Sequence, residues 1–323
     1  MNDTPLLMLT APGDKNIPFA EELRHQATIV IGDALRDFVD AAGNAEVILH
    51  WSGSLSLLRD VFLISRRLRW IHSRSAGLEM VLFPELIESE VLLTNGRGVF
   101  SPSLGEFALA AMLYFAKDFR RMIRNQEAGV WEQFDVNMIA GHTVGIVGYG
   151  SIGRAVAARA RALDMKVLAL RRNVSGPREG DSILDQIYGP DERLEMLSGC
   201  DYVVLTLPLT DQTRGLIAES EFRVMKSNAV VINLGRGPTI DESALIRAIR
   251  ERRIRGAALD VFDQEPLPAG HPFYSMENVL LSPHCADHTP DWLDNSMRFF
   301  LTQLERFRWA ETLSNVVNKR FGY

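Results

Sequence analysis

The stretch Thr143-Val144-Gly145-Ile146-Val147-Gly148-Tyr149-Gly150-Ser151-Ile152-Gly153 constrains the fold of this chain more than any other. Apolar residues dominate positions 143–147, as in a strand buried on both faces, and Gly148, Gly150 and Gly153 then spell G-x-G-x-x-G. From Ser151 the pattern turns helical through Arg154–Ala160, and a second strand pattern arrives at Lys166–Leu170. In a strand–turn–helix of this kind each glycine has a purpose: a tight turn, a bare backbone against a pyrophosphate, and close packing of helix on strand. The helix amino terminus adds free N–H groups and the positive end of its dipole. The stretch reads as a dinucleotide-binding turn in which Gly148, Tyr149, Gly150, Ser151, Ile152 and Gly153 surround the phosphates.

Short apolar runs alternate with helical patterns on both sides of this turn, which implies parallel α/β sheets. Before it, strands are expected at 6–9, 28–31, 47–49, 70–72 and 91–94, with helices at Ala34–Ala42 and Leu55–Leu68. After it, strands are expected at 166–170, 202–206, 229–234, 256–261 and 278–282, with a surface insertion at 173–190 and a last amphipathic segment from Asp291 to Val317. Ser103 and Glu106 have the spacing of a capping box. They precede one long helix whose broad face carries Leu104, Phe107, Ala108, Ala111, Met112, Phe115, Phe119, Met122 and Ile123. That face suits an internal core or a subunit interface. Two loops at strand ends, Arg74-Ser75-Ala76-Gly77 and Asn95-Gly96-Arg97-Gly98, stand where open α/β sheets bind ligands, or are ordinary turns.

With 323 residues the chain is long enough for two domains, each with its own core. A net charge of -6 argues against a nucleic-acid surface. The two cysteines, Cys200 and Cys285, have no metal-ligand spacing, so neither a metal site nor a disulfide framework is expected, and a reducing compartment fits. No signal peptide is read, and no stretch approaches the ~18 consecutive apolar residues of a membrane span, so a cytoplasmic protein without a membrane partner is expected.

Three further stretches sit at strand ends: Asn233-Leu234-Gly235-Arg236-Gly237, then Leu259-Asp260-Val261-Phe262-Asp263-Gln264-Glu265-Pro266, then Ser282-Pro283-His284. Arg236, Glu265 and His284 supply a fixed cation, a carboxylate and an imidazole. Those are the parts that hydride transfer to a 2-keto acid needs. Arginine holds the substrate carboxylate and carbonyl with a planar fork. The imidazolium gives a proton to the carbonyl oxygen, and the carboxylate orients the ring and favours its protonated form.

In order and context these stretches resemble the D-isomer-specific 2-hydroxyacid dehydrogenase family, over nearly the whole chain. Asn233–Gly237 is similar to its N-x-x-R-G signature, Leu259–Leu267 to L-D-V-F-x-x-E-P-L, and Ser282–His284 to [TS]-P-H. Pro208-Leu209-Thr210-Asp211-Gln212-Thr213 is similar to its P-L-T-x-x-T segment. The resemblance implies a Rossmann nucleotide domain at 103–286, inserted into a flavodoxin-like α/β substrate domain made of 1–102 and a returning helix within 287–323. It implies catalytic roles for Arg236, Glu265 and His284, and a substrate-carboxylate loop at Ser75, Ala76 and Gly77. Cofactor contacts would come from Leu207, Pro208, Thr213, Leu234, Gly235 and Asp260, besides the glycine turn. A homodimer through the nucleotide domain and the Leu104–Ile123 helix is also implied.

Three positions depart from the family pattern. Cys285 stands where a small aliphatic residue is usual, and Arg97 where proline is. Arg171-Arg172 stands about twenty residues past the glycine turn, where NAD-dependent members carry an acidic residue on the ribose 2′-hydroxyl; arginine there suits a 2′-phosphate. NADP(H) is therefore expected in preference to NAD(H). The expected activity is reduction of a small 2-keto acid, of glyoxylate or hydroxypyruvate type, to the D-2-hydroxy acid. Phosphoglycerate dehydrogenase-type activity and a non-enzymatic, nicotinamide-sensing corepressor are the alternatives. Substrate closure is expected to hinge near 97–103 and 285–291.

Overall fold

β1 (Thr4–Leu9) shows how the first sheet is built, because its successive side chains enter two different cores. Leu7 and Leu9 pack with Ile48, Ile71 and Leu93, whereas Leu6 and Met8 pack with Val47, Leu49 and Trp70. A strand that is apolar on both faces must be covered on both. In this computed structural model, which describes residues 4–14, 16–172 and 182–322, the chain divides into two units. One is Met1–Phe100 with Thr289–Tyr323, and the other is Ser101–His288.

In the first unit β1 is joined by β2 (Ala27–Gly32), β3 (Val47–His50), β4 (Trp70–Ser73) and β5 (Leu92–Asn95). All pairs are parallel, in the order β2-β1-β3-β4-β5. Helices α1 (Ala20–Gln26), α2 (Val39–Ala42), α3 (Leu55–Ile64) and α4 (Pro84–Ile87) connect them. The helix expected over Ala34–Ala42 is instead a 3-10 turn, Leu35–Asp37, followed by the short α2. The Asp37 carboxylate accepts from the N–H groups of Asp33 and Ala34 at 3.1 and 3.0 Å, a local bond that competes with regular helix. Likewise α3 stops at Ile64 rather than Leu68, where the Ser65 hydroxyl donates to the Val61 carbonyl at 2.7 Å.

The second unit has α5 (Ser101–Lys117), α6 (Phe119–Glu127), β6 (Thr143–Val147), α7 (Ser151–Ala162), β7 (Lys166–Leu170) and β8 (Gln186–Tyr188). It continues through α8 (Arg193–Gly199), β9 (Tyr202–Leu205), α9 (Glu219–Val224), β10 (Val230–Asn233), α10 (Glu242–Arg250), β11 (Gly256–Leu259) and β12 (Val279–Leu281). The sheet runs β12-β11-β10-β9-β6-β7-β8, all parallel. Its order reverses between β6 and β9, which is where doubly wound sheets bind ligands. Residues 173–181 of the expected surface insertion lie outside the described residues. The rest of it is not all surface loop: β8 pairs with β7, and the Asp185 carboxylate accepts from the Val167 N–H at 2.7 Å.

The single long helix expected through Ile123 is two helices. It breaks at Asp118, whose φ is 51°, and beyond the break Phe119, Met122 and Ile123 are exposed, whereas Leu104, Ala108, Ala111, Met112 and Phe115 are buried and Phe107 is half-buried. The capping box is also corrected. α5 starts at Ser101, so Ser103 lies inside the first turn; its hydroxyl donates to Ala286 O at 2.7 Å, and Glu106 pairs with Arg159 at 3.2 Å.

The last helix, α11 (Trp292–Arg308), belongs to the first unit and covers one face of its sheet with Met297, Phe300, Leu301 and Leu304. Phe300 is fully buried and stacks on Trp70 with ring centres 5.4 Å apart. The expected amphipathic segment to Val317 is helical only as far as Arg308. Thereafter the chain runs irregularly to an antiparallel bridge between Val316 and Thr94, with Val317 N–H donating to Leu93 O at 2.8 Å.

Candidate active site

The glycine turn follows β6 at the switch point of the second sheet. Gly148 has φ 100°, a conformation that L side chains rarely adopt. A Cβ at Gly153 would lie 2.7 Å from Gly148 O, so α7 sits directly on the turn. At Gly150 a Cβ would meet nothing within 4 Å, leaving open space before the first N–H groups of α7, which have no intrahelical acceptor. The Thr206 hydroxyl ties the turn to the end of β9 by donating to Gly148 O. Across the switch point, a Cβ at Gly235 would come within 2.6 Å of Leu207 O. Bare backbone, a left-handed glycine and a free helix amino terminus together fit a dinucleotide pyrophosphate. Pro208 and Thr213 lie on the same side, joined by a 2.7 Å bond from the Thr213 hydroxyl to Pro208 O. Arg171 and Arg172 follow β7; Arg171 is half-buried, its N–H donating to Tyr188 O at 3.0 Å, and Arg172 is exposed.

Arg236, Glu265 and His284 follow the carboxyl ends of β10, β11 and β12, three neighbouring strands. Asn233 fixes the first turn: its amide oxygen accepts from Gly235 N at 3.1 Å and its NH₂ donates to Arg236 O at 3.0 Å. Leu234 is buried beside it. The Arg236 guanidinium donates to Gly235 O at 2.8 Å. Gly237 presses so closely on Phe262 that a Cβ would stand 1.9 Å from the Phe262 carbonyl carbon. The Phe262 N–H in turn donates to Glu265 Oε1 at 2.9 Å, and Glu265 Oε2 meets His284 Nδ1 at 2.6 Å. Loop packing and hydrogen bonds thus join the arginine loop to the imidazole without a gap.

An ionised carboxylate only accepts, so Nδ1 of His284 carries the proton in that bond and Nε2 is left for other chemistry. His284 itself has φ 52°, and Asp260 holds the turn that carries it. Asp260 Oδ1 accepts from the Ser282 hydroxyl at 2.5 Å, from Cys285 N at 3.0 Å and from Ala286 N at 3.1 Å. Burial pushes the Asp260 carboxyl above the usual carboxylate range, against the pull of these three donors. Thr206, Asn233 and Ser282 were not among the expected site residues. Asn233 and Ser282 belong to the quoted signatures, whereas Thr206 has no sequence signal beyond its place after a strand.

In the first unit, Ser75, Ala76 and Gly77 form the loop after β4. Ser75 O accepts from Gly96 N at 3.2 Å and Ala76 O from the Asn95 side chain at 2.7 Å. Because C=O and N–H point opposite ways across a trans peptide, the N–H groups of Ala76 and Gly77 face away from β5. No described residue accepts from the N–H groups of Ser75, Ala76 or Gly77. Arg97 is exposed and its guanidinium reaches Asn315 at 3.4 Å. Cys285 is exposed. Among the described residues no group of His, Cys, Asp and Glu side chains is placed to hold a metal ion, and no helix is long and apolar enough to cross a membrane.

Comparison with known proteins agrees with this geometry. Residues 109–286 match the family model described as D-isomer specific 2-hydroxyacid dehydrogenase, NAD binding domain. A glyoxylate reductase of Korarchaeum cryptofilum is 33% identical over 279 residues, covering 82% of each chain. A D-3-phosphoglycerate dehydrogenase of Methanocaldococcus jannaschii is 28% identical over 300 residues, 91% of this chain and 55% of the relative. Among solved structures, a D-isomer specific 2-hydroxyacid dehydrogenase from Xanthobacter autotrophicus, crystallised with NADPH and MES, superposes with a TM-score of 0.83 at 26% identity, covering 99% of this chain and 100% of that one. The chain belongs to the D-isomer-specific 2-hydroxyacid dehydrogenase family, and it is an NAD(P)-dependent oxidoreductase acting on keto acids.

Proposed function

We propose that the enzyme reduces a small 2-keto acid, of glyoxylate or hydroxypyruvate type, to the D-2-hydroxy acid, with His284 as the proton donor. The observation that carries this is the 2.6 Å contact between His284 Nδ1 and Glu265 Oε2, which commits one ring nitrogen and leaves Nε2 to serve the substrate. Arg236 anchors the substrate carboxylate and carbonyl with its fork, and the N–H groups of Ser75, Ala76 and Gly77 take the carboxylate. Bound nicotinamide supplies the hydride. As the carbonyl carbon becomes a C–H centre, the imidazolium form of His284 gives its Nε2 proton to the oxygen and is left neutral, with its Nδ1–H still on Glu265.

The glyoxylate reductase relative supports this substrate class, and the phosphoglycerate dehydrogenase relative supports a second reading in which the keto acid is phosphorylated. Arg171 and Arg172 at the end of β7 favour NADP(H) over NAD(H), through charge-assisted bonds to a 2′-phosphate. The enzyme is a homodimer in this reading: Phe119, Met122, Ile123, Trp131 and Met138 form an exposed apolar stretch, Trp131 being 95% exposed.

A steady-state comparison of glyoxylate, hydroxypyruvate, pyruvate and 3-phosphohydroxypyruvate, each with NADPH and NADH, tests the reading. His284→Ala should lower turnover by about 10²–10⁴-fold while NADPH binding persists. Near-normal turnover in that variant would refute the donor assignment, and higher efficiency with NADH would refute the cofactor preference.

A further inference from the structure

The first unit carries a cation that none of these roles uses. Arg74 directly precedes the Ser75–Gly77 loop, and its backbone N–H donates to His50 O at 3.1 Å. Its guanidinium carbon lies 4.9 Å from the ring centre of Trp51, at the end of β3, and 4.9 Å from that of Trp292, at the start of α11. Nε is buried and has no hydrogen-bond partner. Among the described residues no side chain forms an ion pair with this guanidinium. The carboxylate that acts on it, Asp14, does so through space while accepting from the Ser52 hydroxyl at 2.5 Å.

Guanidinium keeps its charge at every accessible pH, so Arg74 cannot relieve its burial by losing a proton. The two indoles stabilise the charge through their ring electrons, yet they accept none of its in-plane N–H bonds. A half-buried cation with no bonded counterion, whose terminal nitrogens are not among the buried unpartnered atoms, has capacity for an anion there. The adjoining N–H groups of Ser75, Ala76 and Gly77 make this an anion-receiving edge of the sheet. Charge counting then bears on the substrate. A plain 2-keto acid has one negative charge, for which Arg236 and the uncharged N–H groups suffice.

We propose that Arg74 binds a second acidic group of the substrate, so that the preferred 2-keto acids carry two acidic groups, the second being a carboxylate or phosphate at the end remote from the keto acid. The proposal rests on the 2-keto-acid reading and, within it, puts keto acids with two acidic groups ahead of glyoxylate and hydroxypyruvate as the preferred substrates.

Substrate pairs that differ by one acidic group test it: 2-oxovalerate against 2-oxoglutarate for a carboxylate, and hydroxypyruvate against 3-phosphohydroxypyruvate for a phosphate. The wild-type enzyme should show the higher kcat/KM for the diacid of at least one pair, and the pair concerned identifies the acidic group. In Arg74→Met that preference should fall by about 10–10²-fold, as expected for losing a charge-assisted hydrogen-bonded pair, and Arg74→Lys should keep part of it. A wild-type preference for the monoanion in both pairs would overturn the proposal whatever the variants do, as would an unchanged ratio in Arg74→Met. Failure to turn over any 2-keto acid would refute the activity reading instead. Calorimetry of 2-oxoglutarate with wild type and Arg74→Met would then decide the role of Arg74, equal affinity counting against it.

Discussion

Both units are parallel sheets with chemistry-bearing loops at the carboxyl ends of their strands, yet the two edges are finished differently. In the second unit the groups that hold His284 are bonded to one another: Asn233 locks the arginine loop, Glu265 bridges Phe262 and His284, and Asp260 gathers three donors. In the first unit the N–H groups of Ser75, Ala76 and Gly77 and the buried Nε of Arg74 have no partner among the described residues. In the proposed reaction His284 transfers a proton, and such a side chain needs its position fixed beforehand. The Ser75–Gly77 edge, in the same proposal, only receives an anion, and the anion itself completes it.

The largest effect that breaks the contrast should come from Arg236→Lys, which keeps the charge but removes the fork. We expect kcat/KM to fall by roughly 10–10²-fold, the worth of a charge-assisted hydrogen bond, with cofactor affinity retained. Unchanged efficiency would mean that the charge alone serves.

Next comes acid stability, where the first unit should be the weaker partner. Burial pushes His72 down to about 3, against the tilted rings of Phe299 and Phe300 and beside the Thr94 hydroxyl at 2.7 Å. Its folded value lies below its unfolded value, so the unfolded chain binds the proton more readily between those values. Stability linked to His72 is therefore fully present above the unfolded value of about 6.5 and is lost as pH falls below it. From pH 7 to pH 5 the loss should be about 2 kcal/mol, read from urea unfolding, and His72→Phe should flatten that slope. An equal slope in the variant would place the acid sensitivity elsewhere.

The smallest effect should come from Ser282→Ala, which removes one of the three donors to Asp260. About 1 kcal/mol of stability is at stake. Because Asp260 also holds the turn that carries His284, kcat should drop while KM changes little; a loss confined to stability would show that the two remaining donors suffice.

The sequence made the sheets legible because buried parallel strands are short apolar runs, and the expected strands match the observed ones to within two residues at each end. β8 escaped since Gln186-Ile187-Tyr188 is brief and lies at a sheet edge, where burial does not enforce an apolar pattern. The break at Asp118 also escaped, because the spacing of Phe119, Met122 and Ile123 continues the helical period straight through a residue with positive φ. Side chains that bond their own backbone, Asp37 and Ser65, shortened two helices that periodicity alone extended. At the candidate site, Arg236, Glu265 and His284 were readable as residue types at strand ends. The supporting bonds of Thr206 and Asp260 were not, since they join residues separated along the chain by more than a strand and its connection. Arg74 was visible as part of a loop, but its place between two indoles depends on Trp292, more than two hundred residues away.

The position of α11 in the chain has a consequence for synthesis. The face of the first sheet that includes Leu6, Met8, Trp51 and Trp70 is covered by Met297, Phe300, Leu301 and Leu304. A ribosome completes the whole of Ser101–His288 before those four residues emerge. The second unit can therefore reach its native packing while the first still presents an open tryptophan-rich surface, the kind of exposure that recruits chaperones or leads to aggregation. The first sheet, although it precedes Ser101–His288 on the ribosome, receives this cover only after that unit has been made.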